Sequence, residues 1–274
     1  MRIAFTKMHG CGNDFIFING MKNAPNLTVD QIKKICDRHF GIGADQLFIV
    51  LPPKTNTDFK TEIYNADGGL IEMCGNGIRC FAKYVRDKGI TRQEQIQVET
   101  PAGIITPQII PGHPGTTQET IWVRVNMKEP VLEGKQILTP LALEEQSLHV
   151  ICISMGNPHC VLLVDNVKKA PVTSLGPRLE HHPFFQKGVN VEFVEVVNSH
   201  HLKMRVWERG TGETLACGTG ACAALVATQL LKKTDQTVTV TLLGGELKIE
   251  WKGMGNPVFM TGPATTVFEG EIDV

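Results

Sequence analysis

A chain of 274 residues is long for one core and comfortable for two domains of ordinary size. Its 27 basic and 28 acidic side chains leave a net charge of −1, which excludes the basic footprint of a nucleic-acid binder and the polybasic patch of a membrane-surface protein. The sequence shows neither an apolar run of membrane-spanning length nor a signal-peptide core at its start, so it reads as cytosolic.

In chain order, alternating or β-branched runs predict strands over Arg2–Met8 and Phe15–Asn19. A helix is predicted over Thr28–His39, where a Thr cap is followed three residues on by Gln31. Strands follow at Gln46–Leu51 and Lys60–Asn65. The segment Gly77–Lys88 places Ile78, Phe81, Ala82 and Val85 on one helical face and ends in a Lys-Gly stop signal. After a strand at Gln95–Thr100, the Pro/Gly-rich stretch Pro111–Thr117 reads as a linker. Further strands are predicted at Thr120–Met127, His149–Ser154, Val161–Asp165, Val191–Val197 and His201–Trp207. The helix predicted over Gly218–Lys233 is apolar nearly all round, which suits burial inside a sheet, and strands at Thr237–Leu243 and Glu246–Trp251 come after it.

An internal repeat orders these elements. YNADGGLIEMCGNG (64–77) aligns without gaps on WERGTGETLACGTG (207–220), so that Cys74 and Cys217 match 143 residues apart and both copies end in C-G-x-G running into a helix. Gly12-Asn13 matches Gly156-Asn157, and Gln46 matches Asn190, both at a spacing of 144. Three matched points within one residue of a common spacing predict two copies of one domain.

The C-G-x-G segments carry the chemistry. A helix start offers unpaired N–H groups and a partial positive charge of roughly +0.5, a ready site for a carboxylate or phosphate. Glycine lets a ligand approach such a backbone and allows the turn unusual dihedrals. A cysteine at that position has its thiolate stabilised. Two such ends facing one another would grip a carboxylate with a sulfur on each side of the neighbouring carbon. A thiolate on one face takes a proton while a thiol on the other gives one, and the centre inverts. Enolate-like charge on the carboxylate would be held by the backbone donors.

Other readings of the same residues stand beside this one. Eight cysteines in a cytosolic chain are mostly packing residues, and Cys80 and Cys222, one to two turns inside their helices, are expected in the core. Cys11 sits in a Gly-rich loop with no assigned role. Cys74, Cys217 and His159 would make three ligands of a zinc site with no fourth in evidence. A thiol redox protein and a pure binding module are the remaining classes.

The motifs HGCGNDF (9–15), GIGADQ (41–46), YNADG (64–68), EMCGNGIRC (72–80), MGNPHCV (155–161), GVNVEFV (188–194) and WERGTGET-ACGTGACA (207–223) together resemble those of the diaminopimelate epimerases. The resemblance implies an α+β fold of two pseudo-symmetric domains, each a mainly antiparallel sheet or barrel around a central helix. The domains would be 1–115, joined by a returning strand 263–274, and 116–262. It implies a cytoplasmic homodimer without cofactor or metal, interconverting LL- and meso-2,6-diaminopimelate on the way to lysine and peptidoglycan. Cys74 and Cys217 are then the acid–base pair, with His159 and Glu208 beside the thiols. Gly75, Asn76, Gly218 and Thr219 would hold the reacting carboxylate, Glu208 the reacting ammonium and Arg209 the distal carboxylate. Asn65, Asn157 and Asn190 would read the distal centre, and Asn13 and Gln46 add further contacts. Neutral Asn and Gln donors with one Arg and one Glu suit a substrate with two zwitterionic ends, because an Arg clamps a carboxylate in bidentate fashion. Proline and hydroxyproline racemases resemble the chain in fold and paired cysteines, but a cyclic amino acid has no distal charge for Arg209. The phenazine-pathway isomerases lack the cysteine pair.

Overall fold

The computed structural model describes residues 1–72, 74–133, 136–143 and 146–274, excepting the side chain of Gln146; Met73 of the repeat lies outside them. The chain divides into two units, residues 1–125 with 262–274, and residues 126–261. The expected linker, Pro111–Thr117, falls inside the first unit, and the crossing comes after Val125, ten residues beyond the expected boundary. The cause is local pairing. The segment forms the connection between two antiparallel strands, Gln108–Ile109 and Thr120–Asn126, and the Thr117 N–H bonds the Thr120 carbonyl.

The first unit runs β1 (Arg2–Gly10), β2 (Asn13–Asn19), α1 (Val29–Cys36), β3 (Gln46–Leu51), β4 (Phe59–Asn65), β5 (Leu70–Ile71), α2 (Gly75–Asp87), β6 (Val98–Thr100), β7 (Gly103–Ile105), β8 (Gln108–Ile109) and β9 (Thr120–Asn126). The second runs β10 (Val131–Leu132), β11 (Thr139–Leu143), β12 (Gln146–Ser154), β13 (Pro158–Leu163), α3 (Val172–Glu180), β14 (Asn190–Asn198), β15 (His201–Glu208), β16 (Gly212–Thr214), α4 (Gly218–Leu230), β17 (Thr237–Leu242) and β18 (Gly245–Trp251). A long strand, β19 (Val258–Asp273), pairs with β18 through its first residues and, in the first unit, with β1 through its last. This is the α+β class expected from the sequence, with the predicted repeat visible element by element. The order from β1 to α2 matches the order from β12 to α4.

The match extends to register. In each copy the second and third strands pair parallel, Phe15 opposite Gln46 in one and His159 opposite Asn190 in the other. The next pair is antiparallel, with Leu47 opposite Tyr64 and Val191 opposite Trp207. Each copy adds a second parallel pairing, β4 with β6 and β15 with β17, to sheets that are mainly antiparallel, as the resemblance implies.

The helices follow from their ends and faces. Thr28 caps α1 in a reciprocal box with Gln31, as predicted, but the helix stops at Cys36 because the Asp37 carboxylate accepts the N–H groups of His39 and Phe40 in a turn of its own. α2 buries every residue from Asn76 to Val85, and α4 every residue from Gly220 to Thr228. α3 was not predicted from sequence; Pro171 precedes its first turn, Pro177 lies inside it, and Gly176 lets Trp207 lie against the helix.

All four glycines of the two C-G-x-G segments lie in the first turns of α2 and α4 in helical conformation, so unusual dihedrals do not explain them. The second of each pair is required by packing. A Cβ on Gly77 would stand 2.2 Å from the Phe48 ring tip, and one on Gly220 would stand 2.7 Å from a Glu192 carboxylate oxygen. Gly77→Ala should therefore destabilise the fold by about 1–3 kcal/mol, the usual cost of overpacking a core. Chemical denaturation reads this directly, and an unchanged midpoint would show that the Phe48 contact gives way.

Candidate active site

In the first unit Cys74 is the N-cap of α2, with extended backbone, and its sulfur accepts the Gly77 N–H at 3.4 Å. The thiol lies 3.6 Å from Asn13 Oδ1, placed to donate to it. Asn13 is fixed by its other end, where Nδ2 donates to Asp45 Oδ2 at 2.7 Å. Asp45 is in turn held by Arg38, which forks onto Asp14, and Lys7 reaches both Asp14 and the Gly43 carbonyl. Burial pushes the Asp14 carboxyl up, but hydrogen bonds from Arg38 and Lys7 outweigh it and hold the group well below the usual carboxylate range. This ionised network determines which end of the Asn13 amide meets Cys74.

Asn76 also donates to Asn13 Oδ1, at 3.4 Å, and accepts from the fully buried Arg79 at 2.9 Å. Arg79 further donates to the carbonyls of Gly75 and Pro263, so it braces the first turn of α2 from below. Gln46 and Asn65 meet across β3 and β4, Gln46 Nε2 donating to Asn65 Oδ1 at 3.2 Å. Gln46 Oε1 is buried with no hydrogen-bond partner among the described residues.

In the second unit Cys217 occupies the matching N-cap position of α4, but without a side-chain cap hydrogen bond. Burial pushes its thiol well up, the charges of Glu208 and Glu192 push it further, and the Thr219 hydroxyl and Gly220 N–H oppose them. Glu208 is itself pushed up by burial, with the hydroxyl of Thr214 at 2.5 Å and the Cys217 thiol pulling the other way. Thr219 Oγ1 stands 3.5 Å from the Cys217 sulfur and accepts from Asn157 Nδ2 at 3.3 Å. Asn157 Oδ1 lies 3.0 Å from His159 Nε2. The carboxylate bonded to His159 is Glu192, whose Oε1 is 2.7 Å from Nδ1, rather than Glu208; both members of that pair are wholly buried.

Arg209 is exposed and anchored at three points. Its N–H donates to Asn190 Oδ1, its guanidinium donates to the Lys187 carbonyl at 3.1 Å, and its stem lies beside Gly188. Asn190 Nδ2 gives one hydrogen to the Pro158 carbonyl, leaving the amide's other N–H. Buried Glu180 closes the loop by accepting from Trp207 Nε1 and the Gly210 N–H.

The structure thus gathers Asn13, Cys74, Gly75 and Asn76 at one helix start, with Gln46 joined to Asn65 on the neighbouring strands. It gathers Asn157, His159, Cys217, Gly218 and Thr219 at the other, with Glu208 beside Cys217 and Asn190 tied to Arg209. Arg79, Asp45, Glu180 and Glu192 were not singled out from sequence. Glu192 had a signal. The repeat spacing sets it opposite Phe48, as it sets His159 opposite Phe15.

Comparison with known proteins places this architecture. A PhzF-family phenazine biosynthesis protein from Bacillus anthracis superposes with a TM-score of 0.75 at 16% identity, covering 100% of both chains. A hydroxyproline epimerase from Agrobacterium vitis superposes with a TM-score of 0.69 at 15% identity, over 99% of this chain and 92% of that one. The fold is therefore one that these proteins share. Within that class the sequence is specific: the diaminopimelate epimerase family profile matches residues 5–132 and 151–267. The chain is 47% identical to a diaminopimelate epimerase of Nitrosomonas europaea over 100% of both sequences, and 48% identical to one of Acetivibrio thermocellus over 98% of both. It belongs to the diaminopimelate epimerase family.

Proposed function

We propose that the chain interconverts LL- and meso-2,6-diaminopimelate by a two-base mechanism, with Cys74 and Cys217 as acid and base on opposite faces of one α-carbon. The observation that carries this reading is the pair of cysteines at matched N-cap positions of two buried helices, in a chain that is 47% identical to a named diaminopimelate epimerase over its full length. The first-turn N–H groups at Gly75, Asn76, Gly218 and Thr219 would take the reacting carboxylate and stabilise the charge that gathers on it as the proton leaves. Glu208, lifted by burial, gains a compensating charge when the substrate's ammonium arrives beside it. Arg209 would clamp the distal carboxylate, with Asn65, Asn157 and Asn190 reading the distal centre and Asn13 and Gln46 completing the contacts. His159 would act next to the thiols.

Incubation with LL-diaminopimelate in D2O should place deuterium at a single α-carbon as the meso isomer forms. Cys74→Ala and Cys217→Ala should each lower kcat by roughly 10²–10⁴-fold or more, the usual weight of a general acid or base. Full epimerisation by either folded variant would sink the two-thiol mechanism.

Arg209→Met should raise KM about 10- to 100-fold through loss of a charge-assisted bond, with a much smaller change in kcat. Unchanged affinity would put the distal carboxylate elsewhere and reopen the cyclic amino-acid substrates of the racemase relatives.

We also infer a homodimer, on the family resemblance and on the exposed Val267 and Phe268 of β19, which offer apolar surface for it. Sedimentation equilibrium should return twice the 30.1 kDa chain mass. A monomer at micromolar concentration would remove this assignment.

A further inference from the structure

The two copies are alike in backbone and register, but they differ in what lies under the helix start. Below α2, Phe15 and Phe48 meet edge-on with ring centres 5.5 Å apart, and Phe48 fills the space that Gly77 leaves open. Below α4, the residues at the same places are His159 and Glu192, and Glu192 fills the space that Gly220 leaves open. An apolar pair in one copy is thus an ionisable pair in the other. Burying it is costly, because Glu192 Oε2 has no hydrogen-bond partner among the described residues. A fold that is satisfied by two phenylalanines in the sister copy has no structural need for the exchange.

From this pair a continuous chain of polar contacts leads to the sulfur. Glu192 Oε1 is 2.7 Å from His159 Nδ1, His159 Nε2 is 3.0 Å from Asn157 Oδ1, Asn157 Nδ2 is 3.3 Å from Thr219 Oγ1, and Thr219 Oγ1 is 3.5 Å from Cys217 Sγ. Both ring nitrogens face oxygen acceptors, which is the arrangement of a doubly protonated imidazole. The donors then all point one way. His159 Nδ1–H donates to Glu192, and Nε2–H donates to Asn157. Asn157 donates to Thr219, leaving the hydroxyl hydrogen for sulfur.

We propose that Glu192 is a positioning residue for the epimerisation, holding His159 as an imidazolium so that Asn157 and Thr219 present a hydroxyl hydrogen to Cys217 and stabilise its thiolate. The inference rests on the reading of Cys217 as an acid–base group. The charged groups facing that sulfur are Glu208 on β15, Glu192 on β14, His159 on β13 and the N–H groups of α4. The two carboxylates oppose the thiolate, and the imidazolium, the hydroxyl and the helix start favour it. The surroundings of Cys74 differ. Its thiol meets Asn13 Oδ1, and the pair beneath its helix is apolar. The two sulfurs therefore have different hydrogen-bond surroundings within a common fold.

The test is a pH titration of full-length enzyme labelled with 13Cβ-cysteine, reading Cys217 and Cys74 separately by NMR. In Glu192→Gln the carboxylate is gone and His159 loses its counter-ion, so the positive charge that favours the Cys217 thiolate through Asn157 and Thr219 is no longer held there. The Cys217 midpoint should rise by at least about one pH unit, with Cys74 unmoved. At neutral pH kcat should fall about tenfold or more, with KM changed by less than roughly threefold. The double variant His159→Phe with Glu192→Met, which restores an apolar pair like that under α2, should shift Cys217 the same way and serves if the single variant misfolds. A Cys217 midpoint that stays put or falls in a folded variant overturns the proposal while leaving the two-thiol mechanism intact. Full activity of Cys217→Ala would overturn both.

Discussion

The first N–H groups of α2 and α4 have no carbonyl partners within their own helices, and the segments that precede them end in a sulfur. Everything else at the two half-sites is arranged around that fact. A glycine at the third helical position keeps the turn close to a large side chain below, Phe48 in one copy and Glu192 in the other. The helix behind it is buried over nearly its whole length, so the turn cannot drift. Because the helix start is fixed, its partial charge lies at a fixed place beside the sulfur.

Support comes from charged side chains behind these residues. Lys7, Asp14, Arg38 and Asp45 form one ionised set whose outermost member orients Asn13. Arg79 braces the first turn of α2 and presents Asn76. In the second unit Glu180 holds both ends of the Trp207–Gly210 bend, which sets Glu208 and Arg209 in place. Each is a charged group satisfied by several partners at once, and this lets it fix geometry where a single neutral hydrogen bond would allow rotation.

Much of this was legible in the residues. The Thr28 and Gln31 box, the apolar stripe of α2 and the all-apolar α4 name their helices by period and caps alone. The C-G-x-G repeat locates both sulfurs, because that chemistry is local in sequence. What failed to show is what depends on distant partners. α3 is hidden by Gly176 and Pro177, whose tolerance comes from Trp207 lying against the helix. The chain crossing after Val125 is hidden because a Pro/Gly-rich stretch can end a domain or merely turn a hairpin, and only pairing across the strands decides which. The role of the glycines was misread for the same reason. Their neighbours, Phe48 and Glu192, lie about 28 residues earlier in each copy.

The long strand β19 has a consequence for how the protein is made. Its last residues, Arg2 opposite Asp273 through His9 opposite Thr265, complete the sheet of the unit that is translated first. Until they emerge, β1 is an unprotected edge with an open row of backbone donors and acceptors. The unit synthesised second already contains the first residues of β19, Val258 to Thr261, so on the ribosome it is the amino-terminal half that waits for residues 262–274. A nascent chain stalled shortly before residue 262 would hold one nearly finished domain and one with an exposed strand, and the chaperones that shield such edges would find their target near the beginning of the chain.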